Sequence, residues 1–316
     1  MVSLNDIQQA RASAQGRIPR TPLFGSTALS QRVGARVLLK AEFLQKTGSF
    51  KVRGVLHKIS RLSPQQKAAG LISVSAGNHA QALAFGASAE GVRSTIVMPA
   101  TASPLKVQAS REYGAEIILH GNAQEAFTKM DELQRQHGYT LVHPYDDDDI
   151  IAGHGTAGLE IMEDHPAVDV VVVPVGGGGL ISGVAAAVKQ CRPAARVYGV
   201  EPTGAATLRK ALDAGRVVKL DSIQTIADGL AAPMSGERVL EHVHAFVDDV
   251  VLVTDDEIKD ALRFVLQRCK FLLEPAGAAA VAALMVGRIP LPPGAQVVAV
   301  ASGGNIDLSR LQTLLA

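Results

Sequence analysis

Seven short runs rich in β-branched residues punctuate the chain: Val37-Leu38-Leu39, Leu71 to Val74, Ser94 to Met98, Glu116 to Leu119, Val168 to Val173, Arg196 to Val200 and Gln296 to Val300. Most are separated by segments long enough for a helix, and that alternation builds βαβ units, whose strands run parallel. Val170-Val171-Val172-Val173 is apolar at every position, so a strand there needs helices over both of its faces. The fold class expected is α/β, with mainly parallel open sheets and helices on both faces. At 316 residues the chain exceeds one average domain, and two are expected.

Helix signals fill the gaps. Asn78 to Glu90 places Ala80, Leu83, Ala84 and Ala87 on one face, and Asn122 to His137 does the same with Ala126, Met130 and Leu133. Thr254-Asp255-Asp256-Glu257 is a capping box opening a helix to about Lys270, and Pro275 suits the first turn of another. The most apolar stretch, Ala276 to Val286, is far shorter than the ~20 residues a bilayer-spanning helix needs. No membrane segment is expected. The charge run Asp146 to Asp149 reads as a solvated loop whose carboxylates favour the N-terminus of the next helix.

Lys plus Arg total 31 against 30 for Asp plus Glu, and this balance argues against nucleic acid or an anionic membrane surface as partner. Cys191 and Cys269 have no second Cys or His at metal-ligand spacing and read as free thiols. The opening residues lack a basic stretch followed by an apolar one, so a reducing cytoplasm is the expected location.

Pro174-Val175-Gly176-Gly177-Gly178-Gly179-Leu180 joins an apolar strand to a helix. Four glycines at such a turn let the backbone curl round an anion and aim N–H groups at it, with the helix dipole adding to the attraction. A phosphate is the natural ligand. The dinucleotide pattern G-x-G-x-x-G would put Ile181 or Ser182 where its third glycine belongs, and no Gly-Lys pair exists for a Walker motif. A singly phosphorylated aldehyde linked to a lysine fits better. Lys51, between Phe50 and Val52, has the apolar neighbours that favour a neutral amine able to form a Schiff base.

Two further turns follow strands. Ser75-Ala76-Gly77-Asn78-His79 offers backbone N–H groups to a carboxylate and an amide side chain to a ring hydroxyl. Alone, Asn78 would be an ordinary helix cap and His79 a packed histidine. Ala301-Ser302-Gly303-Gly304-Asn305 follows the last strand, and ligands of open α/β sheets gather beyond the C-terminal ends of strands. The three turns are expected to share one cleft.

Taken together, Ser49 to Gly54, Ser75 to Gln81, Gly176 to Gly179, Ile226-Ala227-Asp228-Gly229, Glu274-Pro275-Ala276-Gly277 and Ser302 to Asn305 resemble threonine/serine dehydratases and serine racemases. These are fold-type II pyridoxal-phosphate enzymes, similar to the tryptophan synthase beta subunit, and the match runs from about Ile18 to the C-terminus. The resemblance implies that Lys51 holds pyridoxal 5'-phosphate as a lysine-linked aldimine. Gly176 to Gly179 with Leu180 would take its phosphate, Asn78 its ring hydroxyl and Ser302 its pyridine nitrogen, with Phe50, Gly229, Glu274 and Gly303 completing the pocket. Ser75, Ala76, Gly77, Asn78 and His79 would grip the substrate carboxylate, and Tyr145 would stand near the substrate. A small mobile domain, 69–146, would be inserted in a large one, 1–68 with 147–316, and close over the substrate.

The reaction implied is β-elimination of water from a 3-hydroxy amino acid, most simply L-threonine or L-serine, giving a 2-oxo acid and ammonia. Lys51 would be the base at Cα, and the cofactor phosphate would protonate the departing hydroxide. A serine rather than a carboxylate at the ring nitrogen would limit carbanion delocalisation and favour prompt elimination. Racemisation is the nearest rival, but the racemases resembled carry a serine where this chain has Ala76, whose methyl group cannot transfer a proton. Tyr145 stands where relatives have Phe or Asn, which keeps bulkier substrates such as phenylserine or hydroxyaspartate as an alternative.

Glu201 and Ala205 match two positions of a divalent-metal site in relatives, but Thr207 replaces the aspartate and weakens a hard-cation site, so a divalent or monovalent cation is possible there but not predicted. His154 stands where Gln is usual, without a functional account. The catalytic pattern fills nearly all of the sequence, which suggests a catabolic role without an appended regulatory domain, and the family implies a homodimer or homotetramer. Outside the class, a nicotinamide oxidoreductase or a non-catalytic amino-acid-binding relative are the alternatives.

Overall fold

The computed structural model describes residues 1–316. Its ten strands are β1 (Leu23–Gly25), β2 (Arg36–Lys40), β3 (Leu71–Val74), β4 (Ser94–Met98), β5 (Glu116–Leu119), β6 (Thr140–Leu141), β7 (Val170–Pro174), β8 (Arg196–Pro202), β9 (Asp249–Val253) and β10 (Gln296–Val300). They form a six-stranded sheet in the order β1-β2-β10-β7-β8-β9 and a four-stranded one in the order β5-β4-β3-β6. Every pairing is parallel except that of β1 with β2.

All seven anticipated strands are present, and three more join them. β1 and β6 have too few residues to show a period, and they are called into being by an edge waiting to be paired. β9 was legible, since Val250-Val251-Leu252-Val253 is as β-branched as the runs that were read.

The apolar runs alternate between two cores. Val171, Val173, Val197, Val298 and Val300 face one layer of helices, which includes Asp148–Asp164 and Gly179–Cys191. Val37, Leu39, Val170, Val172, Val297 and Ala299 face the other, which contains the alanine-rich helix Pro275–Met285, buried at every residue but the last. The smaller sheet is covered likewise: Leu71, Ile96 and Met98 meet the helices Lys51–Arg61 and Asn78–Ala89, while Ile72 and Val97 meet Ala126 and Met130 of Ala123–His137. No helix is long and apolar enough to cross a membrane.

The helix opened by the Thr254 capping box ends its α-helical part at Phe264 and widens into a π-helical turn, Val265–Cys269, before Lys270 at φ +65°. The aspartate run departs from the solvated loop expected. Asp147 caps the helix Asp148–Asp164, as the dipole argument requires, yet all four aspartates are half-buried and engaged. Lys58 reaches Asp147 at 2.7 Å and Asp149 at 3.0 Å, Arg238 pairs with Asp148, and Asp146 accepts the N–H of Val239 at 3.1 Å.

Two helices cross where side chains would not fit. A Cβ on Gly183 would overlap the carbonyl oxygen of Ile151 in the facing helix, whose own Gly155 and Gly158 allow the same close approach. Gly183→Ala is therefore expected to lower stability by about 1–3 kcal/mol through overpacking against backbone that cannot rotate away, measurable as a lowered midpoint in urea.

Candidate active site

The C-terminal ends of β3, β7 and β10 and the N-terminus of the helix Lys51–Arg61 open into one cavity of about 510 Å³. Phe50, Lys51, Ser75, Ala76, Gly77, Asn78, His79, Tyr145, Gly176 to Gly179, Leu180, Gly229, Glu274 and Ser302 all line it. Of the residues anticipated, only Gly303 stands behind the wall. Its backbone bridges Ser49 and its carbonyl accepts the N–H of Glu274 at 3.2 Å.

Lys51 is the first residue of its helix. It lines the cavity half-buried, and its nitrogen donates to the carbonyl of Pro144 at 2.8 Å and lies 5.1 Å from the centre of the Phe50 ring. No carboxylate faces it. Burial therefore acts unopposed and pushes its pKa down to about 8. Burial, reinforced by Lys51, also holds His79 at about 3 and His154 well below the usual imidazole range, so both rings are neutral.

The glycine turn is built for an anion. Gly178 takes φ +93°, a conformation that a side chain would resist, and the helix begins at Gly179. The N–H groups of Gly176 through Leu180 meet no backbone acceptor. The second turn has the same character: Ser75 Oγ accepts the N–H of Gly77 at 3.2 Å, and the N–H groups of Ala76, Asn78 and His79 meet no backbone acceptor. One cavity thus presents two anion cradles and an amine of lowered basicity.

The amide of Asn78 does not cap its helix; Gly77 occupies the cap position. Its Nδ2 donates to Glu274 Oε1 at 2.5 Å and its Oδ1 accepts from Asn305 Nδ2 at 2.8 Å. Burial raises the pKa of Glu274 to about 7, outweighing the bond from Asn78 and the charges of Lys106 and Arg310, neither of which pairs with it directly. Asn305 also donates to the carbonyl of Thr47 at 2.7 Å, and a Cβ on neighbouring Gly48, at φ +70°, would overlap the Asn305 amide. Sequence reading quoted Asn305 within a motif but gave it no role. It also missed the Pro144 carbonyl, which no side-chain pattern could reveal.

Tyr145 lies against the glycine turn, its hydroxyl donating to the Met234 carbonyl at 2.9 Å, and burial raises its pKa to about 12. Away from the cavity, Glu201 accepts the N–H groups of Leu208 at 2.7 Å and Arg209 at 2.8 Å, and Thr207 donates its hydroxyl to the Ala232 carbonyl. His154 packs edge-on to Phe50 at 4.7 Å with neither ring nitrogen hydrogen-bonded.

Residues 14–303 match the family model described as pyridoxal-phosphate dependent enzyme. The chain belongs to that family. It is 44% identical, over all of this chain and 92% of the relative, to a catabolic L-threonine dehydratase of Staphylococcus aureus. An L-threonine ammonia-lyase of Thermotoga maritima is 43% identical over all of this chain and 78% of that one. The structure of maize serine racemase superposes with a TM-score of 0.94 at 35% identity, covering 99% of this chain and 96% of that one. The family's cofactor is pyridoxal phosphate, and the residues present fit it: a buried amine for the aldehyde, a row of unpaired N–H groups for the phosphate, and the hydroxyl of nearly buried Ser302 on the cavity wall.

Proposed function

We propose that this enzyme dehydrates and deaminates L-threonine, and L-serine alongside it, to a 2-oxo acid and ammonia. The observation that carries the reading is the convergence on one cavity of Lys51, its amine lowered to about 8, with the two turns of unpaired N–H groups. The names of the S. aureus and T. maritima relatives support the same chemistry.

In this reading Lys51 binds the cofactor aldehyde, the Gly176–Leu180 turn holds its phosphate, and Asn78 and Ser302 meet its ring, with Phe50, Gly229 and Glu274 walling the pocket and Gly303 backing it. When bound, pyridoxal phosphate withdraws electron density from the substrate Cα, which lets the α-proton leave. The turn Ser75 to His79 takes the substrate carboxylate through its free N–H groups. Lys51, displaced by the substrate, is the base that receives the α-proton at Nζ, and its lowered pKa suits it to do so near neutrality. Ala76 supplies no second proton donor, which favours elimination over racemisation even though a serine racemase superposes so closely. Tyr145 borders the space for the β-substituent.

The sheet β3–β6 corresponds to the small mobile unit, 69–146, closing on the remainder, 1–68 with 147–316. A homodimer or homotetramer in the cytoplasm completes the proposal, the two free cysteines suiting a reducing compartment.

The test is release of 2-oxo acid from L-threonine by the purified protein loaded with cofactor. Product from L-threonine and L-serine supports the reading. Product only from phenylserine or hydroxyaspartate moves the specificity to a larger group at Tyr145, and cofactor binding with no product from any of these overturns it.

A pH dependence follows from Lys51. With a pKa of about 8, roughly a tenth of its amine is neutral at pH 7, against about one part in three thousand for an ordinary lysine. Capture of added pyridoxal phosphate by cofactor-free protein, followed by absorbance, is expected to rise nearly tenfold per pH unit below about 8 and to level off above it. A rise continuing to pH 10 would mean that the amine is solvated.

A further inference from the structure

The segment Val142 to Asp146 links the end of β6 to the helix Asp148–Asp164, and it is held at every step. His79 Nε2 is hydrogen-bonded to the Val142 carbonyl at 3.0 Å. His143 Nδ1 accepts the N–H groups of Asp146 at 2.8 Å and Tyr145 at 3.2 Å. Its ring stands edge-on to Tyr145 at 4.6 Å, and Asp146 is in turn fixed to the N–H of Val239. In the middle of the turn the carbonyl of Pro144 accepts from Lys51 at 2.8 Å.

We propose that His143 is a positioning residue for Lys51: its Nδ1 folds residues 143–146 into a turn whose Pro144 carbonyl is the docking point for the Lys51 amine whenever that amine is free of the cofactor. The reaction needs such a point. Once substrate has displaced it, a lysine on a flexible stem samples many rotamers, and only those near Cα can take the proton. A fixed carbonyl selects among them, and it also accepts the hydrogens of the ammonium formed by that transfer.

The role demands an acceptor at Nδ1, hence a neutral ring with its proton on Nε2. Burial keeps His143 below the usual imidazole range, with Lys51 of the facing helix adding repulsion, while Asp146 and Asp147 of its own segment oppose both. An asparagine can reproduce the acceptor, since its side-chain oxygen takes the N–H two residues on in an Asx turn. Alanine cannot.

The proposal depends on Lys51 being the cofactor lysine, so its test separates the two. Capture of pyridoxal phosphate by the full-length cofactor-free protein, read by absorbance, requires no knowledge of the substrate. His143→Ala is expected to slow capture about tenfold and His143→Asn less than twofold. With L-threonine, His143→Ala is expected to lower kcat at least tenfold with KM within threefold, and to raise the isotope effect from α-deuterated substrate. His143→Asn should restore the wild-type isotope effect. Should alanine not fold, His143→Gln, which moves the acceptor by one bond, is expected to behave as alanine would. Capture at the wild-type rate in His143→Ala or His143→Gln overturns the proposal, as does a folded His143→Asn as slow as they are. Wild-type protein that captures cofactor but releases no 2-oxo acid overturns the dehydratase reading and leaves the capture comparison standing.

Discussion

Lys51→Ala is expected to lower threonine turnover at least about 10³-fold, because it removes both the group proposed to bind the aldehyde and the base proposed at Cα. The cofactor should still bind, more weakly and without the absorbance of a lysine-linked aldehyde, since the N–H groups of Gly176 to Leu180 do not depend on Lys51. Thermal stability should not fall with activity. The folded pKa of about 8 lies below the ordinary lysine value, so the folded state binds the proton less tightly than the unfolded one. That costs stability, fully below pH 8, and the cost disappears as pH rises from about 8 through the ordinary lysine range. Its size is on the order of 2 kcal/mol after allowance for water in the cavity. Removing the amine therefore offsets the packing lost with its stem. A melting curve of the cofactor-free variant at pH 7 should show a midpoint no lower than wild type, shrinking to a deficit above pH 10. Residual turnover within tenfold of wild type would remove Lys51 from the chemistry altogether.

The three strand-end turns, the glycine turn among them, were legible because each carries its physics locally: unpaired N–H groups follow from glycine and helix starts, whatever the rest of the chain does. What a side chain meets across the fold was not. Asn78 was read as a donor to a ring, and the sequence gives no sign that Glu274 and Asn305, some two hundred residues away, engage both ends of its amide. The aspartates at 146–149 were read as solvated because four adjacent carboxylates usually are. Lys58 and Arg238, which pair with three of them, arrive from other helices. His143 gave no signal beyond preceding a proline, since its function lies in the two backbone N–H groups it accepts. The division at 69 and 146 came from resemblance alone, for the chain passes between its two sheets without a linker of distinctive composition.

Least legible was the charge network beneath Lys51. Lys40, Glu42, Arg53 and Glu160 are each 6% exposed or less, and they come from β2, a short helical turn and two different helices. Arg53 binds Glu42 through Nε at 2.7 Å and Nη2 at 2.9 Å, and Glu160 through Nη1 and Nη2, both at 2.8 Å. Thr156 and Thr21 accept further bonds from it at 3.1 and 3.2 Å. Lys40 reaches Glu160 at 2.5 Å and the Thr21 carbonyl at 2.6 Å. The two cations and two carboxylates balance, which is how four charges survive burial. Burial works against the Arg53 charge, yet Glu42 and Glu160 outweigh it and hold its pKa above the usual value, while burial without full compensation pushes Lys40 down.

Arg53→Ala leaves two carboxylates facing one lysine in a dry site and is expected to cost about 3–5 kcal/mol of stability. Because Arg53 lies two residues after Lys51 on one helix, the loss should also displace the Lys51 amine. Arg53→Lys is expected to recover only part of it, since a single ammonium cannot bridge two carboxylates bidentately as the guanidinium does. Urea unfolding of the cofactor-free protein measures the cost directly. Carboxylates freed from Arg53 must take up protons to stay buried, so the deficit against wild type should narrow as pH falls from 7 toward 5. A deficit under 1 kcal/mol, independent of pH, would mean that water enters the site and that the network does not hold the helix of Lys51 in place.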